Sequence, residues 1–185
     1  MATETTTPSP ASSTETAAGC DGSAMFAKPQ KEHEWLQQLV GNWTMESECM
    51  GPDGKPSQEK HRGKEQVKSL GGLWIIGEGQ GEMPGGGTAQ MMITLGFDPQ
   101  RNRYVGTWQG SMMTHLWLYE GELDPSGRIL TLNAEGPSFA GDGKMAKYQD
   151  TIELKGPNER TLTSRTQGED GTWVQFMQAT YRRTK

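Results

Sequence analysis

Residues 91–121 read MMITLGFDPQRNRYVGTWQGSMMTHLWLYEG and carry a clear strand pattern. Side chains alternate in character from Ala89 to Phe97, from Arg103 to Gln109 and from Thr114 to Leu123. A period of two residues is typical of β-strands, and short connections join antiparallel neighbours. The stretch therefore predicts three consecutive strands of an antiparallel meander.

The same period extends on both sides of this stretch. The predicted strands are Asn42 to Cys49, Glu59 to Leu70, Leu73 to Glu82, Ala89 to Phe97, Arg103 to Gln109, Thr114 to Leu123, Ile129 to Glu135, Lys147 to Leu154, Thr161 to Thr166 and Thr172 to Arg182. Most of the turns are short enough for hairpins, whereas a two-sheet sandwich needs long crossing connections. An open sheet of this size would leave two long edges, which closure removes. We therefore predict an all-β fold, an antiparallel up-and-down β-barrel of about ten strands.

A short amphipathic helix is predicted before the first strand, from Pro29 to Val40. Trp35, Leu36 and Leu39 recur there at spacings of three and four, and Gly41 ends the pattern. We expect this N-terminal helix to plug or flank one end of the barrel.

The first 28 residues differ in composition from the rest of the chain. They are rich in Thr, Ser and Pro and contain almost no bulky apolar side chain before Phe26. Such a segment cannot bury enough surface to offset the entropy of ordering it. We predict a disordered tail over residues 1–28 and one barrel domain over residues 29–185.

Charge and cysteine usage restrict the partners and the compartment. The net charge of −5 argues against a nucleic-acid partner. No apolar run approaches the roughly 20 residues that a membrane span needs. Cys20 lies in the tail, so pairing it with Cys49 would stabilise little, and we predict free thiols and a cytoplasmic location. A homodimer is left open.

The predicted inner face is rich in methionine and aromatic side chains. His115 and Trp117 share a face of one predicted strand, and Trp108 lies on the preceding strand. Barrels of about eight strands already hold a small ligand, so about ten leave a lumen that side chains alone do not readily fill. We therefore predict that the lumen binds a small apolar or amphipathic molecule. The predicted ligand-binding residues are His115, Trp117, Trp108, Met113, Met91 and Tyr148.

His115 supports two alternatives to simple binding. With an acidic partner in the lumen it would serve an enzyme, and as a single axial ligand it would serve a haem-binding barrel. A histidine that is merely hydrogen-bonded within a polar lumen is the structural alternative. His33 and His61 lie on other predicted elements, so we predict neither a metal site nor a cofactor. Asp150 and Arg165 are further candidates for polar lumen groups, although Arg165 also fits the solvent face.

Several short motifs resemble one protein family. They are Gly41-Asn42-Trp43 after the helix, Gly71-Gly72-Leu73-Trp74, Leu95-Gly96-Phe97-Asp98-Pro99, Tyr104-Val105-Gly106-Thr107-Trp108, the run from Ser111 to Gly121, and Tyr181-Arg182-Arg183. Together they resemble the family catalogued as domain of unknown function 1579, over residues 31–184. The resemblance implies a lipocalin-like (calycin) barrel and carries no established activity or substrate.

Overall fold

The computed structural model describes residues 26–51 and 54–184, which form one helix and ten strands. The elements are α1 (Lys31–Gln37), β1 (Gly41–Met50), β2 (Pro56–Leu70), β3 (Trp74–Glu82), β4 (Thr88–Asp98), β5 (Arg103–Gly110), β6 (Trp117–Leu123), β7 (Ile129–Pro137), β8 (Met145–Gly156), β9 (Glu159–Gln167) and β10 (Trp173–Arg183). Most of the tail predicted for residues 1–28 lies outside the described residues, so its disorder stays a prediction. In the described ranges, no helix has the length and apolar character that crossing a membrane requires.

The strands close into a barrel. Each strand pairs antiparallel with its neighbours in sequence, and β1 closes the ring by pairing with both β2 and β10. In the closing pair, Met45 of β1 lies opposite Tyr181 of β10. This closure satisfies the backbone groups that an open sheet would leave at two edges. The predicted all-β, up-and-down barrel is confirmed.

The helix covers one end of the barrel. The indole Nε1 of Trp35 donates a hydrogen bond to the carbonyl oxygen of Gly127 at 2.8 Å, between β6 and β7. Trp43 Nε1 donates to the carbonyl oxygen of Leu39 at 2.9 Å, and both side chains are buried. The helix is shorter than the predicted Pro29 to Val40. Gln30 forms the N-cap, the helix ends at Gln37, and β1 begins at Gly41, whose φ of +138° favours glycine.

The other end of the barrel carries the connection from β1 to β2 and the connections at residues 83–87, 111–116, 138–144 and 168–172. One of them differs from the prediction, because the sixth strand begins at Trp117 rather than at Thr114. The chain turns at Gly110, whose carbonyl oxygen accepts a hydrogen bond from the backbone N–H of Met113 at 3.2 Å. Residues 111–116 therefore form a loop at the open end and not a continuation of the strand.

Glycines on β2 and β3 leave space inside the barrel for long side chains. A Cβ atom at Gly63 would lie 2.7 Å from Met45 Cε, and one at Gly77 would lie 2.7 Å from Ile93 Cγ2. A Cβ at Gly81 would again meet Met45, at 3.1 Å. Real Cβ atoms do not approach neighbours this closely without rearrangement. The glycine alternation of β3 thus makes room for methionine and isoleucine side chains in the lumen.

Candidate functional site

A cavity of about 340 Å³ lies inside the barrel, between the helix-covered floor and the open end. Apolar side chains form most of its wall. Six methionines line it, namely Met45, Met83, Met91, Met112, Met113 and Met177. Because methionine is unbranched and polarisable, a wall of this kind adapts to ligands of different shapes.

Aromatic rings form one side of the cavity. Trp108 of β5 lies directly opposite Trp117 of β6 in the sheet register. The Trp117 ring meets the Tyr148 ring edge-on, with centroids 4.7 Å apart. Tyr148 also contacts Phe139, whose ring lies 5.1 Å from that of Phe176. These edge-on contacts hold the rings in place around the upper part of the cavity.

A glycine on the neighbouring strand and two hydrogen bonds fix this aromatic wall. A Cβ atom at Gly136 of β7 would collide with the Trp117 ring, so only glycine admits the indole there. The Tyr148 hydroxyl donates to the carbonyl oxygen of Pro137 at 2.6 Å. Trp117 Nε1 donates to Met113 Sδ at 3.1 Å, which ties the strand to the loop above it.

Five of the six predicted binding residues come together at this cavity. Met91, Trp108, Met113, Trp117 and Tyr148 all line it. Their role in ligand binding stays a prediction. Met113 reaches the cavity from the loop before β6, and the other four reach it from strands. Arg165 is exposed and lies opposite Gln149 on the outer surface, so only the solvent-face alternative fits it.

His115 lies elsewhere, and the prediction that it faces the lumen is wrong. It belongs to the loop before β6 and is not among the side chains that line the cavity. Its Nε2 atom is 3.1 Å from the carbonyl oxygen of Glu135, and its ring meets Trp117 edge-on at 5.0 Å. The histidine therefore packs edge-on against Trp117, a residue of the aromatic wall, and does not itself line the cavity. Both the enzyme and the haem alternatives required His115 inside the lumen.

An acid faces the lumen from β8. Asp150 Oδ2 accepts a hydrogen bond from the Tyr119 hydroxyl, and Oδ1 accepts one from Ser164 Oγ at 2.5 Å. Burial raises the pKa of the Asp150 carboxyl, whereas these two hydrogen bonds act to lower it. Burial also raises the pKa of Tyr119 well above its ordinary value, and the Asp150 charge adds to that increase. Asp150 was predicted as a polar lumen group, and it lines the cavity.

A second polar group lies near the floor and was not predicted. Arg160 of β9 forms an ion pair with Glu65 of β2, and the two side chains are only 5% and 14% exposed. The Arg160 guanidinium carbon lies 3.9 Å from the Tyr181 ring centroid and 4.9 Å from that of Trp43. The sequence does contain a signal for this position, because Arg160 falls in the same two-residue alternation as the inward-facing Leu162 and Ser164.

Two further lumen residues have metal-binding or nucleophilic side chains. His61 is buried and Cys49 is a free thiol, and both line the cavity. Over the described parts of the chain, no three His, Cys, Asp or Glu side chains are grouped closely enough to hold a metal ion.

A larger depression of about 960 Å³ lies on the outer surface of β1 to β5. It is shallow and open, and its outward-facing side chains include Gln66, Gln80, Gln90 and Gln109. Gln109 Oε1 is buried there without a hydrogen-bond partner. Since small-molecule sites are concave and mostly apolar, the lumen is the better candidate.

The fold and the cavity define a closed, ten-stranded antiparallel β-barrel with a mostly apolar lumen and one end covered by a helix. The chain belongs to the family described as Protein of unknown function (DUF1579), which matches residues 28–183. No curated protein matches the chain.

Two solved structures with low sequence identity share the fold, and a third is less similar. Rv2717c from M. tuberculosis has a TM-score of 0.56 and 12% identity, over 85% of this chain and 100% of that chain. The S-type phycobiliprotein lyase CPES from Guillardia theta has a TM-score of 0.54 and 14% identity, over 85% of this chain and 99% of that chain. EF1p2_mFAP2b, solved bound to DFHBI, has a TM-score of 0.45 and 12% identity, over 83% and 99% of the two chains.

Proposed function

We propose that this protein binds a small, mostly apolar molecule inside its barrel. One observation carries the proposal, namely the cavity of about 340 Å³ whose wall is formed by methionine and aromatic side chains. This volume falls within the range of about 300–1,000 Å³ that is typical of small-molecule sites. The likeness to solved structures supports the fold, and the ligand class rests on the lining of the lumen.

The open end supplies a route for the ligand. Phe139 is 64% exposed, and Met112 and Met113 are each 39% exposed, yet all three also line the cavity. Side chains that are apolar and solvent-exposed at the mouth of an apolar cavity favour capture of an apolar molecule from water. The helix covers the opposite end, so we place the ligand's path through the loops at residues 83–87, 111–116 and 138–144.

The experiment is a calorimetric titration of the full chain with 1-octanol, which carries an apolar chain and one uncharged polar group. The test variant is Ala179→Leu, because Ala179 is 1% exposed and lines the cavity, so a larger side chain there occupies ligand space. The matched control is Val174→Leu on the same strand, at a position that is 53% exposed and outside the cavity lining.

We expect saturable binding to the wild-type chain and to Val174→Leu, with affinity for Ala179→Leu reduced at least about tenfold, the equivalent of about 1.4 kcal/mol. Equal binding by all three proteins would place the site outside the lumen. A folded wild-type chain that binds no octanol would contradict the proposal.

The cytoplasmic location and a homodimeric state are also proposals. Fractionation of the producing cells tests the first, and light scattering of the purified chain tests the second.

A further inference from the structure

Asp150 is held as an acceptor of hydrogen bonds on the wall of the lumen. The Tyr119 and Ser164 hydroxyls each donate to a different carboxylate oxygen. An ionised carboxylate has about four acceptor positions, so two remain for a ligand. Burial disfavours the charged form and raises the pKa of the carboxyl, whereas the two hydroxyl donors act in the opposite direction. A cationic donor from a ligand would add to the effect of the hydroxyls and stabilise the charged form.

The charge on Asp150 has no countercharge in the described part of the chain. None of the ion pairs found there includes Asp150, whose two carboxylate oxygens are hydrogen-bonded to neutral hydroxyls. Of the bases that line the cavity, Arg160 is paired with Glu65, and His61 lies on β2, across the barrel from β8. An unpaired charge in an apolar cavity is costly, and a bound cation removes that cost.

We infer that the lumen selects amphipathic amines, with the ligand's ammonium group hydrogen-bonded to Asp150 and its hydrocarbon part against the methionine and aromatic wall. The inference rests on the proposed function and names the ligand class of that same site.

The structure does not favour the opposite class, apolar carboxylates. Arg160 would be their anchor, but its guanidinium is neutralised by Glu65 and lies against the Tyr181 and Trp43 rings. Its Nε atom is buried and has no hydrogen-bond partner. A carboxylate ligand would also place a second negative charge in the same lumen as Asp150.

The experiment compares three probes of equal chain length on the full chain at pH 7: octylamine, 1-octanol and octanoate. We expect octylamine to bind at least about tenfold more tightly than octanoate, since charge-assisted hydrogen bonds are among the stronger contacts. In Asp150→Asn the affinity for octylamine should fall about tenfold, whereas the affinity for octanol should stay within about twofold.

The matched control is Glu153→Gln, which makes the same change of charge on the same strand. Glu153 lies on the outer surface, where it pairs with Lys155 at 2.7 Å. We expect this variant to bind all three probes like the wild-type chain. The preference of the wild-type chain for the amine needs no variant, so it remains a test even where Asp150→Asn fails to fold.

Three outcomes overturn the inference in different ways. Octanol binding without any preference for octylamine would overturn the amine selectivity and leave the proposed function standing. No binding of any of the three probes would overturn both. A preference for octylamine that Glu153→Gln abolishes and Asp150→Asn preserves would place the amine on the outer surface and also overturn the inference.

Discussion

The guanidinium of Arg160 forms an ion pair with the carboxylate of Glu65 across the barrel, although the strands that carry them are not neighbours. β1 and β10 lie between β2 and β9 in the sheet. The Tyr181 and Trp43 rings pack against the same guanidinium. The pair therefore links two parts of the barrel wall near the floor, in addition to the backbone ladder between them.

Removing one partner of this pair should destabilise the protein strongly. Glu65→Ala leaves a buried, uncompensated arginine, which typically costs about 3–5 kcal/mol. The double variant Glu65→Met with Arg160→Met removes both charges and should be much closer to wild type. Urea denaturation of the three proteins measures the free energies of unfolding. A cost below about 1 kcal/mol for Glu65→Ala would mean that water solvates the pair, and it would contradict the structural role of the pair.

Trp43 should be a major contributor to the stability of the floor. It is 2% exposed, donates a hydrogen bond to Leu39 and carries the Arg160 and Arg183 guanidinium groups against its ring. Trp43→Ala should therefore cost about 3–5 kcal/mol in chemical denaturation. Trp74→Ala is the control, because Trp74 is 40% exposed and should cost clearly less. Equal losses of stability for the two variants would contradict the role of Trp43 as a major core residue.

The effect of pH on stability should differ in sign between two carboxylates. Asp150 has a raised pKa in the folded state, so the folded protein holds its proton more strongly than the unfolded chain. The contribution of Asp150 to the free energy of unfolding is fully present below its pKa in the unfolded chain, about 4. This contribution is lost as the pH rises through its pKa in the folded protein. The stability of Asp150→Asn relative to that of wild type should therefore increase as the pH rises from about 4 to 8. Tyr119 and Tyr181, the titratable groups coupled to this carboxyl, stay neutral over that range because their own pKa values are raised.

Asp124 is the matched comparison. A hydrogen bond from the Ser126 side chain, together with those from the backbone N–H groups of Ile129, Ser126 and Arg128, lowers its pKa to about 2. Its contribution is present above the unfolded pKa and is lost as pH falls towards 2. Asp124→Asn should therefore be less stable than wild type at pH 7, and the difference should shrink below pH 4. Thermal melts across this range test both signs. If the stabilities of the two variants relative to wild type changed with pH in the same direction, the opposite pKa shifts of Asp150 and Asp124 would be contradicted.

Residues 1–28 should be dispensable for folding. The family match begins at residue 28, and the first strand begins at Gly41. We expect a chain that starts at residue 29 to melt within a few degrees of the full chain. A loss above about 10 °C, more than a single kcal/mol produces in a domain of this size, would mean that the tail docks on the barrel.

The barrel itself was predictable because each strand carries its own period of two residues and the turns between strands are short. The position of His115 was not. The alternation of Met113, His115 and Trp117 fits a strand, but the turn at Gly110 and the loop up to Leu116 interrupt it, and alternation alone does not detect such a break. A bulge between Gln175 and Met177 likewise brings the consecutive residues Phe176 and Met177 to the same cavity.

The polar groups of the lumen depend on contacts between strands that are distant in sequence. Arg160 and Glu65 are separated by 95 positions, and Tyr119 and Asp150 by 31. The sequence shows which face each side chain occupies, but the partner follows only from the closed register. Arg160 and Arg165 lie on opposite faces of β9, and Arg160 is the arginine of the lumen.

Methionine methyl groups offer the most direct measurement of the central claim, that the lumen is a binding site. In a chain labelled with ¹³C at the methionine methyls, octylamine and 1-octanol should shift the resonances of Met45, Met91 and Met177, which line the cavity. The resonances of Met92 and Met145, which are 36% and 58% exposed and outside the cavity lining, should stay unchanged. Ala179→Leu should suppress the shifts. Saturable shifts confined to Met92 or Met145, or none at all in a folded protein, would contradict binding within the barrel.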